Sequence, residues 1–124
     1  MPGNLSLRVI GDLGECNVQT FEFYPGEDRT MTFQLYGVDN DQRICISATA
    51  VKTMYLPGTP NTLQVNDADI TVNADDSSIF SFAVTAAMSE LMISGSVQFN
   101  YVVGAITRIA YLEYGQKRLV PLAG

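Results

Sequence analysis

Apolar and polar residues alternate along most of this chain, and turn-forming residues break the alternation at short intervals. Period-2 alternation predicts strands with one face on a core and one toward solvent. The clearest run is 30–36, where Met31, Phe33 and Leu35 share one face and Thr30, Thr32, Gln34 and Tyr36 the other. Phe80, Phe82 and Val84 repeat the pattern, as do Val97, Phe99, Tyr101 and Val103. Phe21 and Phe23 form a shorter run that stops at Tyr24-Pro25-Gly26. Residues 48–56 end at Pro57-Gly58, and 63–65 and 70–72 flank the polar stretch Asn66-Asp67-Ala68-Asp69. Leu5, Leu7 and Val9 alternate with Ser6 and Arg8 near the start.

Gly104 separates two apolar runs, 97–103 and 105–114, which predicts a hairpin with a tight turn. The second run is apolar on both faces: Ile106, Ala110 and Leu112 on one, Ile109 and Tyr111 on the other. Such a strand is either central or meets a partner. One segment has helical spacing: Thr85 as a cap, then Met88, Leu91 and Met92 at i, i+3, i+4. It is too short to stand alone and is read as a connector. The pattern therefore predicts an all-β chain: a single β-sandwich of about 7–9 antiparallel strands, with one short helical turn near 85–92. The expected division is an N-terminal arm or edge strand over 1–16, the sandwich over 17–115, and a C-terminal tail over 116–124. Pro121 assigns the last apolar residues to an edge or tail.

Composition narrows the function by exclusion. The chain has 124 residues, 47% hydrophobic and 16% charged, enough for one core without staples. Net charge is −6, from 7 Lys and Arg against 13 Asp and Glu, which disfavours nucleic-acid binding. There is no His, so Ser-His and Cys-His catalysis and the commonest metal ligand are missing. No Gly-rich phosphate loop is visible. Glu22, Glu27, Glu90 and Glu113 are the carboxylates a glycosidase would draw on, and each reads more simply as a solvated residue. Asp39-Asn40-Asp41 starts like a calcium loop, but Ile44 and Ala50 stand where that loop needs Gly and Glu. Asp67, Asp69, Asp75 and Asp76 are read as acidic turn residues that would hold a cation only if their loops met. Cys16 and Cys45 are expected as reduced thiols packed as small hydrophobes. No apolar run reaches the length of a membrane span, and no signal segment is apparent, so synthesis in a cytoplasm is expected. The expectation is a non-enzymatic protein with no cofactor and no catalytic, cofactor-binding or metal residues.

Three stretches carry a family likeness. The first is Pro25-Gly26-Glu27-Asp28-Arg29-Thr30, a turn feeding the alternating strand that ends at Leu35. The second is Asp39-Asn40-Asp41-Gln42-Arg43-Ile44-Cys45-Ile46-Ser47-Ala48-Thr49-Ala50, an acidic turn, an apolar pair, then a small-residue entry to the next strand. The third is Thr85-Ala86-Ala87-Met88-Ser89-Glu90-Leu91-Met92-Ile93-Ser94-Gly95, leading into Ser96-Val97-Gln98-Phe99-Asn100-Tyr101. In this order they resemble the N-terminal immunoglobulin-like domain of tailed-phage baseplate upper proteins and related tail-fibre proteins. The resemblance implies an immunoglobulin-like sandwich and a virion structural role in a baseplate, tail or capsid-attached component. It implies other virion proteins as partners, with no nucleic acid and no membrane, and homo-oligomeric assembly. On that reading the flanks are arms. Leu5, Leu7 and Val9 are the expected interface anchors on the first, and Ile109 and Tyr111 those on the two-faced strand. The alternative is a carbohydrate-binding sandwich for host-surface recognition, with Tyr36 as the exposed ligand platform.

Overall fold

Alternation decides the strands. The computed structural model of the chain describes residues 5–10, 20–38, 42–112 and 115–119. Its strands are β1 (Leu5–Val9), β2 (Phe21–Phe23), β3 (Arg29–Gly37), β4 (Val51–Leu56), β5 (Leu63–Val65), β6 (Thr71–Val72), β7 (Ile79–Val84), β8 (Gln98–Val103), β9 (Ile106–Leu112) and β10 (Gln116–Arg118). A 3-10 turn at Asp67–Asp69 joins β5 to β6, and α1 (Ala86–Leu91) joins β7 to β8. Met31, Phe33 and Leu35 of β3 are fully buried, as the alternation predicts. Thr85 caps α1, its hydroxyl accepting from the Met88 N–H at 3.2 Å. The helical face differs from the expected one: Met92 is buried, Leu91 is exposed, and Ser89 turns inward to receive the Gly26 N–H at 2.8 Å.

Eight strands form one hydrogen-bonded sheet in the order β5-β4-β8-β9-β1-β3-β7-β6. The sheet folds over on itself, and its two halves meet face to face. Phe80 of β7 stacks on Phe99 of β8 with ring centroids 4.3 Å apart, although those strands are not neighbours in the sheet. Phe33 extends the aromatic core to Phe80, Phe82 and Phe21. The halves β1-β3-β7-β6 and β5-β4-β8-β9 reproduce the neighbour order of an immunoglobulin-type sandwich, A-B-E-D against C′-C-F-G. The fold is all-β and sandwich-like.

Two pairings are parallel, which alternation alone does not reveal. β1 runs antiparallel to β3 and parallel to β9, and so ties one half to the other. Within the segment 1–16 expected as an arm or edge strand, Leu5–Val9 is therefore an interior strand, and residues 1–4 and 11–16 lie outside the described residues. Leu7 and Val9 belong to the core, and Leu5 packs half-buried against it. β10 runs parallel to β2 and is likewise integrated rather than a loose tail. Gln116 is buried there, its amide donating to Pro57 O at 3.0 Å and Ile93 O at 2.6 Å. Gly115 precedes it at φ +72°, with the Gly95 backbone where a Cβ would have to sit. Residues 120–124, including Pro121, lie outside the described residues.

Candidate functional site

The register places one row of side chains across the outside of the β5-β4-β8-β9 half. Gln64 lies beside Tyr55, Tyr55 beside Gln98, and Gln98 beside Tyr111. Tyr111 is followed by Ser6 on β1 and Tyr36 on β3. A second row reads Thr53, Asn100, Ile109, and a third reads Val51, Val102, Thr107. These positions alternate with the buried Met54, Phe99 and Ala110, so they point away from the core. Val51, Ile109 and Tyr111 are 55%, 45% and 50% exposed. No outward position from β5 to β9 among these rows carries a charge, although the chain is at −6. The polar members are partly satisfied within the sheet: Gln98 donates to Asn100 at 2.8 Å, and the Ser6 hydroxyl to Tyr111 O at 2.9 Å.

Of the expected interface residues, this face brings Ile109 and Tyr111 together. Leu7 and Val9 are not available to a partner, because their side chains point into the core that β1 helps close. Ile106 is exposed at the hairpin end, although it has the same strand parity as the buried Ala110 and Leu112. Tyr36 is half-buried rather than an open platform, and the Arg8 guanidinium sits 3.9 Å over its ring. That cation–π contact occupies a ring face that a sugar would use. Val51 and Tyr55 face outward without having been expected to, whereas Val102 lies on the outward side that the alternation of 97–103 predicts. The signal lay in the odd positions of 51–55, which oppose the core-facing Met54 and Leu56.

The acidic loop residues separate instead of converging. Asp67 accepts from Lys52 Nζ at 2.7 Å and from the Lys52 N–H at 3.0 Å. Lys52 is a buried lysine, and its ammonium also donates to Ala50 O at 3.2 Å. Asp76 accepts from the Ser78 hydroxyl at 2.6 Å, the Ser78 N–H at 3.0 Å and Arg43 at 2.9 Å. Among the described residues no three His, Cys, Asp or Glu side chains group as a metal site. Glu22 and Glu90 are exposed. Glu27 accepts from the Tyr24 N–H at 2.9 Å and lies 3.7 Å from Arg29. Glu113 lies outside the described residues, as does Cys16. Cys45 is exposed with a free thiol, so it is not the packed small hydrophobe expected of it.

Both engaged aspartates titrate below the ordinary carboxylate range. For Asp67 the cause is chiefly its hydrogen bond from the Lys52 side chain, and for Asp76 its bond from the Ser78 hydroxyl. A depressed folded-state pKa adds stability above the unfolded value, about 3.9 for Asp, and loses it as pH falls through the folded value. Thermal unfolding followed from pH 7 to pH 2 should therefore show a midpoint that drops below about pH 4. Asp67→Asn should lower the midpoint at pH 7 and flatten part of that acid slope, because Lys52 keeps its charge without its partner.

No described helix is long and apolar enough to cross a membrane. No protein-family model matches this sequence, and no curated protein matches it.

Proposed function

We propose that this chain is a non-enzymatic structural component of a phage or prophage virion, assembled in the host cytoplasm, and that it works through contacts of its β4-β8-β9 outer face. The observation that carries the assembly reading is the uncharged, aromatic and aliphatic surface around Ile109, Tyr111 and Val51 on an acidic chain. Depletion of charge with exposed aromatics marks the centre of a protein interface. Two copies at −6 repel one another, and this uncharged face lets them approach with little Coulomb cost. The virion assignment rests on the likeness of the three stretches at 25–35, 39–50 and 85–101 to baseplate upper proteins.

Light scattering across a protein concentration series tests the self-association. The wild-type chain should rise above monomer mass, and Ile109→Glu with Tyr111→Glu should remain monomeric with an unchanged circular dichroism spectrum. A wild-type chain that stays monomeric at millimolar concentration would overturn homo-oligomeric assembly through this face.

A further inference from the structure

β5 and β6 end the sheet order, so among the described residues each leaves one side unpaired. β3 covers every residue of β7, but β6 covers only Phe80 and Ser81. Along an antiparallel strand the main-chain polar groups alternate from side to side. The Leu35 N–H donates to Ser78 O at 2.8 Å, which assigns Phe80, Phe82 and Val84 to the β3 side. Ile79, Ser81 and Ala83 then point the other way, and the Asn73 N–H bonded to Ile79 O at 2.9 Å agrees. Continuing the register of β6 would put Asp69 opposite Ala83, but there the chain has turned into the 3-10 turn. Among the described residues, no hydrogen bond is made to the Ala83 N–H or C=O on that side.

The same argument applies across the gap. The Lys52 N–H goes to Asp67, away from β8, so Lys52, Met54 and Leu56 direct their main chain toward β5. Met54 and Leu56 pair with Val65 and Leu63, which leaves Gln64 pointing its N–H and C=O outward. Gln64 and Ala83 line one cleft of about 340 Å³, together with Val65, Asp69, Thr85 and Met88. The cleft therefore offers peptide donors and acceptors from two strand edges, apolar surface from Val65 and Met88, and the carboxylate of Asp69, which makes no ion pair among the described residues.

The geometry points to this cleft as the docking slot for an extended segment of a different protein, added as a strand to β5 or β7, with a basic residue at the Asp69 end. Unpaired strand edges are templates for strand addition, in which main-chain bonds supply affinity and alternate side chains supply selectivity. A second copy is the poorer donor, because the chain is acidic at −6 and the slot already carries Asp69. This inference does not use the β4-β8-β9 face and stands apart from it.

The test is amide hydrogen exchange by NMR on the full chain. The probes are two capped hexapeptides of alternating valine and threonine, one with an N-terminal and one with a C-terminal lysine, and matched peptides with glutamate in place of lysine. In the free protein the Gln64 and Ala83 amides should exchange quickly. At millimolar concentration a lysine peptide should slow at least one of them tenfold or more, with the glutamate peptides at least tenfold weaker. Asp69→Lys should reverse that preference without disturbing the fold. Ala83→Pro and Gln64→Pro remove the donors themselves. Slow exchange at both amides in the free protein, or no slowing with either lysine peptide, would overturn the inference. Concentration-dependent protection without peptide would assign the slot to a second copy and also overturn it.

Discussion

A chain lacking residues 1–10 should show no cooperative thermal transition, and this is among the largest effects expected of any change to the protein. β1 is the strand that hydrogen-bonds to both halves, antiparallel to β3 and parallel to β9. Its removal exposes an edge on each half and takes Leu7 and Val9 out of the core. Burying two such side chains contributes roughly 3–6 kcal/mol, before any loss of strand pairing. A domain of this size has only about 5–15 kcal/mol in total. Scanning calorimetry of the truncated chain against the full chain measures this directly. A sharp transition at an unchanged midpoint would show that the halves hold together without β1, and would return the segment to the role of an arm.

Phe80→Ala and Phe99→Ala should each cost about 3–5 kcal/mol, because each opens a cavity at the centre of the sandwich. Both side chains are fully buried, and their rings stack at 4.3 Å across the two halves. The corresponding fall in melting midpoint is on the order of 10–20 °C for a chain of this length. Denaturant titration of both single variants and the double variant gives the coupling between the rings. A coupling of about 0.5–1.5 kcal/mol is expected for a stacked aromatic pair. Additive losses would mean that the two rings contribute to their own halves and not to the joint between them.

The surface reading was legible only in part. Ile109 and Tyr111 were found because β9 is apolar on both faces, and one of those faces had to lie outside the core. Leu5, Leu7 and Val9 have the same local signature as an apolar-faced edge strand, and nothing in their own alternation shows that two other strands flank them. Tyr36 follows the rule that outward positions alternate with the core. Its ring is nevertheless covered, because Arg8 lies on the neighbouring strand in reach of it. The aspartates at 67, 69, 75 and 76 are close in sequence, but Lys52 and Ser78 engage two of them separately.

Local sequence by itself determined the all-β class, most strand positions, the core-facing set Met31, Phe33, Leu35, Phe80, Phe82 and Phe99, and the capped turn after Thr85. Period and turn chemistry act over a few residues, so a few residues suffice to read them. Tertiary structure alone decided the parallel placement of β1 and β10, the meeting of Phe80 with Phe99, and the unpaired edges at Gln64 and Ala83. Each of these depends on which distant strand becomes a neighbour. That choice is made by the burial of the whole apolar surface at once, and no single strand's alternation records it.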